Sequence, residues 1–215
     1  MVAFWQMPTG AWNARQCCTS GCGNISAESD SPVQATSSPT FQTITTSSGG
    51  ATFDPQHGAS CALTAAGAAW CWGQDGSGPI GNGTTPTAVS TGQTVTSISL
   101  SGPTDHGCAV VTGGNAYCWG SNYYGQLGNG TSLYGYCVTP ITAPVQVSGG
   151  IAFTQISAGY GYTCALTAAG AAYCWGGGPG GGASPRLMTV PAGVTFTQIS
   201  VGAFYACAVA AGGTA

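Results

Sequence analysis

The chain reads as an all-β repeat protein whose units stack as covered sheets. Three observations predict this. A thirteen-residue pattern recurs as CALTAAGAAWCWG at Cys61 to Gly73, CAVVTGGNAYCWG at Cys108 to Gly120 and CALTAAGAAYCWG at Cys164 to Gly176, and CAVAAGGTA opens a fourth copy at Cys207. An alternating apolar–polar tetrapeptide precedes each copy: FQTI at Phe41, VTSI at Val95, FTQI at Phe153 and FTQI at Phe196. No stretch carries the period of an amphipathic helix of useful length.

The tetrapeptides are short strands. The recurring pattern after them is a β-hairpin, two apolar runs about a turn of small residues. A three-residue loop at Ala168, Ala169 and Gly170, with Gly170 in the left-handed conformation, places Leu166 opposite Ala172 and Cys164 opposite Cys174. The same register sets Cys61 against Cys71, with Gly67 at the bulge, and Cys108 against Cys118, with Asn115 assigned to the bulge. Each cysteine pair then falls where antiparallel backbones approach to ~4.5 Å, which suits a direct disulfide. Nine residues separate the members of each pair and no second pair stands nearby at ligand spacing, so zinc is not expected.

Both faces of the hairpin are apolar. Cys164, Leu166, Ala172 and Cys174 share one face, and Ala165, Tyr173 and Trp175 share the other. A sheet covered on both sides belongs between neighbours, in a stack or ring. After each hairpin comes a Gly-rich excursion, GQDGSGPIGNGT after Trp72 and GSNYYGQLGNGT after Trp119, shortened to GGGPGGGASP after Trp175. The units are therefore 41–94, 95–152, 153–195 and a truncated 196–215. Residues 1–40 form a degenerate leading unit whose SPVQ at Ser31 echoes APVQV at Ala143.

CALTAAGAAYCWG together with SNYYGQLGNGT resembles the regulator of chromosome condensation repeat, in its bacterial, cysteine-containing form; GQLGNGT at Gly125 is the most specific part. The resemblance runs from about Phe41 onward. It implies a β-propeller of four-stranded blades, and there is material here for about four. Nuclear members of that family are exchange factors for a small GTPase and touch chromatin, and one bacterial type inhibits β-lactamases. Neither function is marked in these residues. The fourth unit stops before its YCWG strand, so MVAFWQ, with Phe4 and Trp5 in the Cys and Trp places, is expected to complete it within one chain or head-to-tail between copies, as an oligomer or fibre.

Composition narrows the partners. Only 3% of the 215 residues are charged, with no lysine and two arginines, Arg15 and Arg186. Nucleic-acid affinity comes largely from Lys and Arg on phosphates, which excludes that partner class. No run approaches ~20 strongly apolar residues, so no membrane span is expected. The apolar run within Met1 to Met7 is too short, and lacks the basic leader, for a signal peptide. Eleven cysteines point to an oxidising, extracellular or cell-surface setting. Beyond the six hairpin cysteines stand Cys17, Cys18, Cys22, Cys137 and Cys207, an odd set that invites an interchain bridge, a free thiol or a fragment boundary.

The remaining candidates are few. His106 shares its slot before the cysteine with Tyr162 and Tyr205, which marks a scaffold position; His57 with Asp54, and His106 with Asp105, have no nucleophile motif beside them. GGGPGGG lacks the Lys-Ser/Thr of a phosphate loop. Asn24, Asn82 and Asn129 match the glycosylation acceptor, the last two within equivalent Gly-rich loops where NGT also reads as a turn, the reading preferred here. Tyr123, Tyr124, Tyr134 and Tyr136 are residues of the kind enriched at interfaces. The expectation is a non-enzymatic protein without cofactor or metal, structural or adhesive, associating with copies of itself. The alternative is a secreted propeller that binds another extracellular protein through its Gly/Tyr-rich loops.

Overall fold

The computed structural model describes residues 40–46, 58–74, 81–101, 106–133, 140–178, 181–203 and 205–213. Their strands are β1 (Phe41–Thr46), β2 (Gly58–Thr64), β3 (Ala69–Gln74), β4 (Gly81–Ala88), β5 (Val95–Leu100), β6 (His106–Val111), β7 (Ala116–Gly120), β8 (Ile141–Gln146), β9 (Phe153–Ala158), β10 (Tyr162–Thr167), β11 (Ala172–Gly176), β12 (Gly182–Leu187), β13 (Phe196–Val201) and β14 (Ala206–Ala210). Four consecutive strands make each of the first three sheets, β1 to β4, β5 to β8 and β9 to β12, in chain order, and β13 pairs with β14. These are the first, second and third blades and the opening half of a fourth. No helix among the described residues is long and apolar enough to cross a membrane.

The hairpin register is as the repeat predicts. Cys61 faces Cys71, Cys108 faces Cys118 and Cys164 faces Cys174. Each pair is joined by a disulfide with its Cα atoms 4.1 Å apart. Closing a loop of this size removes freedom from the unfolded chain equivalent to about 3 kcal/mol per bridge.

The turn corrects one assignment. Gly67 and Gly170 hold positive φ, at 75° and 76°, but in the second blade Gly114 takes the place given to Asn115, at φ 88°. Its amide donates to the Val111 carbonyl, as Gly67 does to Thr64 and Gly170 to Thr167. GG precedes Asn115, and counting from the cysteine puts Gly114 at the same offset as Gly67 and Gly170. Glycine is needed there twice over. Besides φ, a Cβ on Gly114 would lie 2.8 Å from the Ala152 Cβ and 3.1 Å from the Phe153 amide nitrogen.

Those neighbours belong to the next blade. The Gly67, Gly114 and Gly170 carbonyls accept from the amides of Val95, Phe153 and Phe196, the first residues of β5, β9 and β13. A second recurring bond sits at the other end of these strands. Ser99 Oγ accepts from the Ala158 amide at 3.1 Å, and Ser157 Oγ accepts from the Val201 amide at 3.0 Å.

Between blades lies apolar packing with a fixed order of faces. One cluster joins Cys61, Leu63 and Cys71 of the first blade to Ala109, Val111 and Trp119 of the second. The next joins Cys108, Val110, Ala116 and Cys118 of the second to Phe153, Ala165 and Trp175 of the third. Cys164 and Cys174 in turn pack with Ile199 and Val201 of β13. The cysteine face of each hairpin thus meets the aromatic face or inner strand of the blade that follows, which is why both faces had to be apolar. Trp119 and Trp175 are fully buried, a degree of burial whose removal typically costs about 3–5 kcal/mol.

Candidate functional site

His106 is the buried titratable group that sequence reading set aside, and its surroundings explain its role. It opens β6, opposite Gly120, and lies against the third blade. Thr163 Oγ1, on β10, donates to the Gln126 carbonyl at 3.0 Å. That commits the hydroxyl proton, so Thr163 Oγ1 accepts from His106 Nε2–H across 2.8 Å. The tautomer leaves Nδ1 bare, and it has no hydrogen-bond partner. Burial lowers the His106 pKa to about 3, so the ring is neutral at ordinary pH. A neutral ring tied to a threonine between two blades is a structural peg. Tyr162 fills the same position one blade later, with its hydroxyl buried and unpartnered. Burial first, then the charges of Cys207 and Tyr205, push its pKa up. His57, Asp54 and Asp105 lie outside the described residues. Among the described residues no three His, Cys, Asp or Glu side chains gather as a metal site.

The Gly-rich excursion 121–133 is a clasp rather than a free loop. Asn122 shapes it from within, accepting from the Leu127 amide at 3.1 Å and donating to the Thr131 carbonyl at 3.0 Å. Leu127 is buried in the core between the second and third blades. The Gln126 carbonyl also accepts from Trp175 Nε1 at 2.9 Å. Gly128 lies on the same indole, where a Cβ would come within 2.6 Å of the ring nitrogen. The Gly130 amide donates to the Ala183 carbonyl at 2.8 Å, and Ser148 Oγ lies 3.1 Å from Ser184 Oγ. The loop leaving the second blade is therefore fastened across the third.

Tyr123 and Tyr124 are the outward part of this clasp, 38% and 37% exposed. Their rings meet edge-on with centroids 4.7 Å apart. Tyr124 rests on Gly161 and Gly177, close enough that a Cβ on either would touch the ring. Tyr134, Tyr136 and Cys137 fall outside the described residues, as do Asn24, Cys17, Cys18 and Cys22. Asn129 is engaged in a turn: its Oδ1 accepts from the Thr131 hydroxyl at 2.8 Å and from the Thr131 amide at 3.2 Å. Asn82 does not share that loop setting. It lies in β4, opposite Gly73, because the chain there runs back along β3 as a strand.

The β13–β14 sheet is the other outward-facing feature. Cys207 occupies the hairpin-cysteine place, opposite Ser200 of β13 as Cys164 is opposite Ser157 and Cys108 opposite Ser99. It is free and exposed. Among the described residues the second edge of β14 pairs with no strand. Residues 1–6, expected to supply one, lie outside the described residues.

Sequence reasoning passed over Thr163, Gln126, Asn122 and the Ser99/Ser157 pair. A signal existed for the serines alone, since VTSIS and FTQIS keep Ser at a fixed offset. Thr163 has no counterpart hydroxyl in β14, where Ala206 stands in its place.

Comparison with known proteins agrees with this architecture. Two models described as the regulator of chromosome condensation (RCC1) repeat match, one over residues 113–166 and one over residues 95–126. No curated protein sequence matches the chain significantly. Human WBSCR16 is similar in structure, with a TM-score of 0.59 at 21% identity, covering 71% of this chain and 43% of that one. Prp20p from Saccharomyces cerevisiae, studied with its binding to Gsp1p and histones, gives 0.58 at 18% identity over 70% of this chain and 41% of its own. Yeast RCC1 (Prp20) bound to Kap60 gives 0.57 at 18% identity over 69% and 39%. The chain spans about two fifths of the length of these structures. Residues 95–166 match regulator of chromosome condensation repeats, and the described strands are laid out as the antiparallel four-stranded sheets of a β-propeller.

Proposed function

We propose that the chain is a non-enzymatic structural propeller of the extracellular space or cell surface, and that it associates with copies of itself through the β13–β14 sheet. The observation that carries this reading is the edge of β14 that pairs with no strand among the described residues, with an exposed Cys207 on it. An open strand edge is a template for another strand. The three hairpin disulfides support an oxidising setting, and 3% charged residues leave little electrostatic repulsion between copies. Light scattering on the purified chain, with and without reductant, tests it: a species heavier than one chain is expected, and a monomer under both conditions refutes it.

A second reading rests on a different observation. Tyr123 and Tyr124 stand outward on a clasp pinned to two blades, a preorganised aromatic contact of the kind protein interfaces use. Prp20p and yeast RCC1 have been described with protein partners, Gsp1p, histones and Kap60. On this reading the chain is a binding propeller. Tyr124→Ala then abolishes capture of the partner and leaves self-association untouched.

A further inference from the structure

We infer that Asn129–Gly130 is a self-modifying pair held in check by the clasp. Once the clasp lets go of the third blade, the Gly130 amide nitrogen closes on the Asn129 carboxamide, and the isoaspartate that results keeps the clasp from fastening again.

An Asn-Gly pair is open to this reaction because glycine puts no Cβ beside the attacking nitrogen. Two such pairs stand in this chain, each within the tetrapeptide GNGT, at Gly81–Thr84 and Gly128–Thr131. In the second of them the electrophile is already prepared. Asn129 Oδ1 accepts from the Thr131 hydroxyl at 2.8 Å, from the Thr131 amide at 3.2 Å and from Asn122 Nδ2 at 3.4 Å. Donors on a carbonyl oxygen draw charge from its carbon and stabilise the oxyanion that forms when the carbon is attacked. Water reaches the place, since Asn129 is half-buried and Gly130 and Thr131 are exposed.

The nucleophile is what the fold withholds. The Gly130 amide gives its hydrogen to the Ala183 carbonyl at 2.8 Å. That proton must leave before the nitrogen can attack, and the same bond fixes the peptide plane against β12 of the third blade. The seat around it is tight. Ser148 Oγ donates to the Gly128 carbonyl at 2.8 Å and lies 3.1 Å from Ser184 Oγ. A Cβ on Gly125 would fall 2.8 Å from the Ala183 Cα and 2.9 Å from its Cβ.

The reaction needs only water and base. With the Ala183 bond broken, hydroxide takes the Gly130 proton and the nitrogen bonds to Asn129 Cγ. The Cγ–Nδ2 bond breaks, and the nitrogen leaves as ammonia with a proton from water. Water then opens the cyclic imide. Opening at Cγ gives aspartate, and opening at the backbone carbonyl gives isoaspartate. The sum is a water consumed and an ammonia released. Isoaspartate routes the main chain through Cβ and Cγ, and this longer path carries the Gly130 amide away from the Ala183 carbonyl.

The test incubates the 215-residue chain at neutral pH, folded and in guanidinium chloride, with peptide mapping that separates asparagine, aspartate and isoaspartate. Unfolded, Asn82 and Asn129 should react at similar rates. Folded, Asn129 should react at least about tenfold more slowly than unfolded, the factor that one backbone hydrogen bond withholds. Gly125→Ala pushes on Ala183 and leaves GNGT intact, so it should return Asn129 toward the unfolded rate in a chain that keeps its native tryptophan fluorescence. Ser184→Ala removes one neighbouring fastening and serves where Gly125→Ala does not fold; it should speed Asn129 by a smaller factor and leave Asn82 unchanged. After refolding, the isoaspartate fraction should unfold at lower denaturant than the asparagine fraction. Equal Asn129 rates in the folded and unfolded chain, or folded variants no faster than the parent, overturn the check by the clasp. Coincident unfolding midpoints of the two fractions overturn the loss of refastening.

Discussion

Gly113 and Gly114 allow the coupling between blades to be weighed with its own control. Both hold positive φ, at 91° and 88°. A Cβ on Gly113 meets nothing within 4 Å, whereas one on Gly114 comes within 2.8 Å of Ala152 and 3.1 Å of the Phe153 nitrogen. Gly113→Ala therefore carries the left-handed backbone cost alone, about 1–2 kcal/mol. Gly114→Ala adds the displacement of β9. That stretches the 2.8 Å bond from the Phe153 amide to the Gly114 carbonyl, and Phe153 is buried, so a weakened amide there costs about 1–3 kcal/mol more. Urea unfolding followed by tryptophan fluorescence, with disulfides intact, reads the difference. With a slope of about 2 kcal/mol/M, the Gly114 variant should melt roughly 0.5–1.5 M urea below the Gly113 variant. Equal midpoints would mean that the carbonyl of the turn does not hold the next blade, and the reasoning would fail.

Three further expectations follow from the same joints. Thr163→Ala strands the His106 Nε2 proton and one lone pair of the Gln126 carbonyl in a buried setting, and should cost about 2–3 kcal/mol in chemical denaturation; a loss below half a kcal/mol would remove Thr163 from the account. His106 binds its proton more weakly folded, near pH 3, than unfolded, near 6.5. Its contribution is thus complete above pH 6.5 and falls as pH drops toward 3, on the order of 1 kcal/mol per pH unit. His106→Tyr, which copies the residue of the next blade, should flatten that slope, and a pH profile unchanged by the substitution would count against it. Replacing Cys164 and Cys174 together by serine should lower stability by about 2–3 kcal/mol in a thermal melt, with a negligible change showing the staple to be redundant.

The hairpins were legible because strand register is a counting problem. Once Cys164 faces Cys174, period two places every neighbour on a face. The glycine slip in the second blade was a miscount, since the offset from the cysteine that gives Gly67 and Gly170 also gives Gly114, and the contact with Ala152 and Phe153 shows why glycine is required there. The clasp was legible as a Gly-rich excursion but not as a fastening, since its bonds reach Thr163, Trp175 and Ala183 across sequence separations with no period. Asn82 and Asn129 share the letters NGT, yet one sits in a strand and the other in a turn. The flanking loop is shaped by Asn122 in the second blade, and Asp75 stands at the counterpart place in the sequence of the first.

The serine and glycine bonds between blades share a direction. In each, the earlier blade holds the acceptor and the later blade supplies the amide. A repeat therefore carries one half of a plug at its start and the matching socket at its turn. Duplicating or deleting a whole repeat would restore these plug-and-socket bonds, whereas the His106–Thr163 peg belongs to one junction alone. Because the core clusters among the described residues join only adjacent blades, strain or solvent at one blade is felt first by the adjoining repeat, and loss of order should spread blade by blade.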